Sequence, residues 1–150
     1  MKNWVIFLWI AFLVAIDQGS EVWARRTLLM GHPRPVVGSI LMVHLLFNQG
    51  AMLGLGSRYP AIVLWVGLVM TTGLLIAVFR VPSYRWPLAT MAGGALGNVI
   101  SRLIYGRVTD FIQLRGYPGI FNLSDVALRA GVVWLIVVLL FGRAGSHQKG

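Results

Sequence analysis

Carboxyl groups are scarce in this 150-residue chain: only Asp17, Glu21, Asp110 and Asp125 carry one. Two of them sit in surroundings that suggest a shared task. Asp110 lies in Arg107-Val108-Thr109-Asp110-Phe111-Ile112, whose alternation predicts a short extended segment. Asp125 lies in Phe121-Asn122-Leu123-Ser124-Asp125, at the predicted start of a helix. Two carboxyl groups brought to one site cannot both ionise cheaply, so one keeps its proton while the other is charged. An aspartic peptidase uses such a pair. The carboxylate takes a proton from water, and the acid polarises the peptide carbonyl and later protonates the departing amine. This chemistry calls for no metal and no other cofactor.

Local electrostatics assign the two roles. Asn122 as N-cap and Asp125 at the third helical position resemble a capping box, and the positive end of the helix dipole favours a carboxylate there. Capping and catalysis are compatible, because a cap holds the carboxylate still. Asp125 is therefore expected to activate the water, and Asp110, between Thr109 and Phe111, to keep its proton. The alternative for Asp110 is an interfacial ion pair with Arg107 or Arg115. For Glu21, four residues before Arg25, the plain alternative is a helical ion pair.

Other catalytic schemes find less support. The chain has no cysteine, so there is neither a thiol nucleophile nor a disulfide framework. His32, His44 and His147 have no metal-ligand spacing, and Lys2 and Lys149 stand at the extreme ends, which leaves no Ser-Lys dyad to be expected. A Ser-His-Asp set would have to rely on His44. Polar donors of another kind appear in Gly93-Gly94-Ala95-Leu96-Gly97-Asn98-Val99-Ile100-Ser101-Arg102. There Gly93 and Gly97 form a small-residue packing seam, while Gly94, Asn98 and Arg102 stack on one face. Asn48-Gln49-Gly50-Ala51 reads as a turn.

The elements that must position these groups are membrane spans. The composition is 57% hydrophobic and 11% charged, with a mean hydropathy of +0.77, more apolar surface than a soluble domain of this size can hide. Spans are expected at about 4–24, 59–79, 86–104 and 123–142 in a single domain over 1–150. The first requires the helix to continue past Asp17. No small-x-small site follows it, so it reads as an uncleaved span rather than a secretory leader. The segment 33–57 is also uncharged over most of its length, but its glycines, Pro35 and β-branched residues predict an extracytoplasmic, strand-rich cap. The formal charge of +9 comes from basic residues scattered singly or in pairs. They suit anionic headgroups and do not suggest a nucleic-acid partner. Charge density favours the face with Lys2, Arg80 and Arg85 as cytoplasmic while the raw count does not, so charge alone leaves the orientation open.

Taken in order, these motifs resemble signal peptidase II, the aspartic prolipoprotein signal peptidase of bacterial inner membranes. Asp17-Gln18 with Ser20 is similar to its first-helix motif, Asn48-Gln49-Gly50-Ala51 to its cap motif, and Gly93 to Asn98 to its third-helix motif. Gly106 to Phe111 and Phe121 to Asp125, followed by Gly131, are similar to the two catalytic-aspartate motifs. The resemblance implies four transmembrane helices with both termini cytoplasmic and the active site near the periplasmic face. It also implies cleavage of the signal peptide before a diacylglyceryl-modified cysteine, by a monomer whose partners are lipidated preproteins and membrane lipids. By position it makes Asp110 and Asp125 the catalytic pair, and Asp17, Asn48, Gly50, Asn98, Arg102 and Asn122 the residues that support the site or hold the substrate. The chain departs from the family where it has Glu21 for a Lys, Leu53 for a Phe, Ser101 for an Asp and Ser124 for an Ala.

Two rival readings come from other classes. One is a non-catalytic paralogue that binds lipoprotein precursors. The other is a small transporter, against which stands the absence of an acid near the middle of the second or third span. Because Glu21 has Arg25 as a partner and Ser101 carries no charge, neither is expected to be required for turnover.

Overall fold

The computed structural model describes residues 3–51 and 54–141. Lys2, Leu53, His147 and Lys149 lie outside the described residues. Four helices run α1 Asn3–Thr27, α2 Pro60–Arg80, α3 Arg85–Tyr105 and α4 Leu123–Phe141, and four strands run β1 Arg34–Val37, β2 Leu41–Asn48, β3 Val108–Leu114 and β4 Ile120–Phe121. Helix α1 continues through Asp17 and Glu21 and is longer than the expected 4–24. Pro60 opens α2, where its missing N–H costs nothing. Gly106 closes α3 in the left-handed conformation at φ 68°, its N–H bonded to the Arg102 carbonyl.

Helices α1, α2 and α4 are long and apolar enough to cross a membrane, whereas α3 is not among them. The difference follows from position. α3 packs against each of the other three, and its buried residues are mainly small or weakly polar, including Ala89, Thr90, Ala92, Gly93, Gly94, Gly97 and Ser101. A helix at the centre of a bundle needs close approach rather than bulk. A Cβ on Gly93 would lie 2.8 Å from the Leu13 side chain, and one on Gly97 would meet Asp17 and Ser124. Gly94 faces the other way, against the α4 backbone at Ser124 and Leu128. The outer helices reverse the usual soluble pattern, leaving Phe7, Leu8, Phe12, Trp65, Val69, Ile136 and Leu140 exposed. Hydrocarbon, not water, is the solvent for such a surface, and the chain is a membrane protein.

The four strands form one antiparallel sheet in the order β1-β2-β3-β4. The strand-rich cap expected at 33–57 therefore does not stand alone. β2 would present a row of unpaired backbone groups, and β3, from the segment that carries Asp110, covers that edge. The register places Leu46 opposite Asp110 and Asn48 opposite Val108, with a bulge between Val43 and Leu46. Within the bulge, Leu45 packs with Ala24, Leu28 and Phe111, which ties the sheet to the end of α1.

Candidate active site

Asp110 and Asp125 reach the same cavity from different elements. The cavity is about 490 Å³, and apolar side chains of α2, α3 and α4 such as Ile62, Val66, Met70, Val99 and Leu128 form most of its wall. Asn48, Asn98 and Arg102 line it beside the two carboxyl groups. Pleating places Asp110 on this face of β3, while its neighbour Phe111 turns to α1. Asp110 makes no ion pair with Arg107 or Arg115. Arg107 stacks on the Phe47 ring, and Arg115 donates to the Ser39 hydroxyl. Asp110 accepts instead from Asn48 Nδ2 at 2.9 Å, across the diagonal that the strand register creates. Burial pushes its carboxyl up to about 7; the Asn48 hydrogen bond opposes this and the nearby Asp125 charge adds to it.

Asp125 is held by two bonds, and a third links the partners that make them. Its backbone N–H donates to Asn122 Oδ1 at 2.9 Å, the N-cap contact expected from the spacing. Asn98 Nδ2 donates to Asp125 Oδ1 at 3.1 Å, and Asn98 Oδ1 in turn accepts from Asn122 Nδ2 at 3.0 Å. One amide of α3 thus joins the cap of α4 to the carboxylate beside it, and leaves Oδ2 of Asp125 without a partner among the described residues.

The remaining residues singled out from the sequence take up distinct stations. Arg102 donates to the Gly50 carbonyl at 2.6 Å and to the Asn98 carbonyl at 3.1 Å. The Gly50 N–H donates to Asn48 Oδ1 at 2.9 Å. This turn leaves no room for a side chain at Gly50, where a Cβ would lie 2.6 Å from the backbone of Gly54 and Leu55. Asn48, Gly50, Asn98 and Arg102 are thereby one hydrogen-bonded connection between the sheet and α3. Asp17 does not line the cavity. It is buried behind α4, where its Oδ1 accepts the Ser124 backbone N–H at 2.8 Å and so satisfies a second donor in the first turn of that helix.

Three residues acquire roles that local spacing did not suggest. Gln18 donates to Asp17, to Ser101 Oγ and to the Gly97 carbonyl. Ser101 donates to Glu21 Oε1 at 2.7 Å. Arg25 bonds Glu21 at 2.8 Å and Thr109 Oγ1 at 2.7 Å. Of these contacts only Gln18 with its neighbour Asp17 and Glu21 with Arg25 are local; the remaining partners are about 80 positions apart. The ion pair expected for Glu21 is present, but Glu21 is fully buried rather than on an open helix surface. Removing one member of a buried pair leaves the other charge uncompensated. Glu21→Gln and Ser101→Ala are thus expected to retain turnover while lowering the thermal unfolding temperature, measured side by side on the purified variants. Loss of turnover as complete as in the Asp110 or Asp125 variants would overturn this expectation.

Neither ring nitrogen of His44 has a hydrogen-bond partner among the described residues, so the structure gives no support to a Ser-His-Asp set built on it. No group of three or more metal-ligating side chains occurs among the described residues.

Fold and site together define a helical membrane protein in which a small sheet and the start of a helix bring two carboxyl groups to an apolar cavity. Residues 9–141 match the family model described as signal peptidase (SPase) II. The chain belongs to the signal peptidase II family. It is 40% identical to the lipoprotein signal peptidase of Moorella thermoacetica, over 89% of this chain and 92% of that protein. It is 32% identical to that of Pelotomaculum thermopropionicum, over 96% of this chain and 97% of that protein. A bacterial membrane enzyme solved by the in meso method at 2.3 Å superposes with a TM-score of 0.80 and 27% identity, over 97% of this chain and 93% of that one.

Proposed function

We propose that this protein is an aspartic endopeptidase that removes signal peptides from diacylglyceryl-modified prolipoproteins, with Asp110 and Asp125 as its catalytic pair. The observation that carries the reading is the meeting of these two carboxyl groups at one mostly apolar cavity, in a chain whose relatives are named lipoprotein signal peptidases. An apolar cavity between helices suits an apolar signal segment and the acyl chains beside it, and the carboxyl groups stand where a peptide bond at the end of that segment would lie. A binding-only paralogue would need neither carboxyl group.

The geometry suggests how the residues divide the work. Asp125, with Oδ1 engaged by Asn98, uses Oδ2 to take a proton from a water molecule, and the resulting hydroxide attacks the carbonyl carbon. Asp110, with Oδ2 engaged by Asn48, carries its proton on Oδ1 and donates a hydrogen bond to the carbonyl oxygen as it becomes negative. Collapse of the tetrahedral intermediate then breaks the C–N bond, and the amine leaves with a proton delivered from the pair. Asn122 and Asp17 hold the first turn of α4, and with it Asp125. Arg102 and Gly50 hold the turn that carries Asn48.

We read α3 as a fourth span, at 21 residues long enough to cross. The sheet segments then connect α1 to α2 and α3 to α4 on one membrane face, while the Pro82–Tyr84 turn lies on the other. We place the sheet face in the periplasm, both termini in the cytoplasm and the protein, as a monomer, in the inner membrane.

The deciding experiment incubates the purified protein with a synthetic prolipoprotein carrying a diacylglyceryl cysteine, and with the same chain unlipidated. Release of the signal peptide from the lipidated chain alone is the expected result. Binding of the lipidated chain without cleavage would instead establish the non-catalytic paralogue. The pH profile supplies a second check. Because Asp110 must be protonated, kcat/KM should fall as pH rises through about 7. Asn48 favours the charged form of Asp110, so Asn48→Ala should move that alkaline limb upward in pH. A limb unmoved in this variant would argue against Asp110 as the acid.

A further inference from the structure

Asp110 stands on the wall between two depressions. Beside the apolar cavity, and sharing Asn48, Asp110 and Ile120 with it, lies a groove of about 560 Å³ on the sheet side. Its lining has a different chemistry, with Gln49, Ser57 and Arg107 in place of the membrane-facing side chains of α2 and α4. A polypeptide cut at Asp110 must extend in both directions from that residue. Its apolar signal segment matches the cavity between the helices, and the water-soluble chain that begins at the cysteine matches the groove, whose lining mixes these polar groups with Met30, Leu46 and Phe47 and is more polar than the cavity's.

Arg107 gives the groove a sign. Its guanidinium lies 3.7 Å from the Phe47 ring centroid, an arrangement that fixes the side chain while leaving the N–H donors at the guanidinium rim free. No carboxylate among the described residues meets it. Asp110 lines the same groove but accepts from Asn48 and makes no ion pair with Arg107, Glu21 pairs with Arg25 outside the groove, Asp17 is buried behind α4, and Asp125 lines the other depression. Arg102 and Arg115 already donate to other groups.

We propose that this groove is the subsite for the polypeptide downstream of the scissile bond, and that Arg107 makes it favour substrates with a carboxylate side chain in the first few residues after the modified cysteine. The proposal rests on the peptidase reading above. It is tested with the purified full-length protein in lipid nanodiscs and a set of diacylglyceryl-cysteine peptides that carry Glu, Gln or Lys at the second, third or fourth position counted from the cysteine. At one position kcat/KM should be about fivefold higher for Glu than for Gln, the size expected of a partly exposed ion pair, and lower still for Lys. The Glu-to-Gln ratio should shrink with added salt and collapse towards one in Arg107→Gln, and Arg107→Glu should make Lys the preferred residue. Equal rates for Glu and Gln at every position, or a ratio that persists in Arg107→Gln, would overturn the assignment of the subsite. Failure of the wild-type protein to cut any of the peptides would instead remove the peptidase reading, and this inference with it.

Discussion

Asn in place of Asp110, or of Asp125, is expected to reduce cleavage of a lipidated prolipoprotein by at least ~10³-fold, because each carboxyl group performs a step the other cannot. Both variants should still fold. In Asp110→Asn the new amide can turn its oxygen towards Asn48 Nδ2, which in the wild type donates to the carboxyl group. Asp125→Asn keeps an oxygen that can accept from Asn98 and the backbone N–H that reaches the Asn122 cap. Stability separates lost chemistry from lost structure. The carboxyl of Asp110 is raised from 3.8 to about 7 by burial, so the folded state holds its proton more tightly than the unfolded chain does. Its contribution to stability is complete below 3.8 and is lost as pH rises through about 7. Asp110→Asn removes the cost of a buried charge, and at pH 8 the variant should unfold at the same temperature as the wild type or higher. Near-normal turnover in either Asn variant would sink the paired-carboxyl mechanism, and unfolding of both in the membrane would show that the pair is structural.

The second large effect is expected from a methyl group at Gly94. A Cβ there would lie 2.9 Å from the backbone nitrogen of Leu128 and closer still to the carbonyl oxygen of Ser124. Both are backbone atoms of α4 and cannot rotate away as a side-chain tip could. Gly94→Ala must therefore push α4 from α3, at a cost of ~1–3 kcal/mol. The same displacement separates Asn98 from Asp125 and Asn122, since these bonds cross the α3–α4 interface at 3.1 and 3.0 Å. A shift of about 1 Å at a reacting group can cost ~10²-fold in rate, so kcat should fall much more than the loss of folded protein explains. Gly73→Ala in α2 serves as the control, because nothing lies within 4 Å of a Cβ there. Equal activity of the Gly94 and Gly73 variants would show that the two helices are not held at this contact.

Much of the site was legible because its signals are local. The cap of Asn122 on Asp125 spans three positions, the alignment of Asn98 with Arg102 spans four, and the turn of Asn48 on Gly50 spans two. At these distances residue type and backbone geometry nearly dictate the contact. The apolar runs announced α1, α2 and α4 for the same reason, since each helix meets lipid along its length and the requirement is written into consecutive residues. Helix α3 is expected as a span at 86–104 on the same ground, but it is not among the helices apolar enough to cross. A helix surrounded by other helices is selected for small residues, so its hydropathy falls below that of its lipid-facing neighbours.

The meetings of distant groups followed a different logic. Asp17 satisfies a backbone N–H that is 107 positions away, and Ser101 joins Glu21 across 80. No periodicity along the chain encodes either contact, because both depend on how α1, α3 and α4 pack. The pairing of β2 with β3, which sets Asn48 against Asp110 across 62 positions, depends in turn on the bulge that shifts the β2 register. Patterns that repeat over a few residues were enough to define the elements and the acids they carry. Which acids share a cavity, and which are buried to brace it, was settled only when close packing at the glycines of α3 drew the helices together.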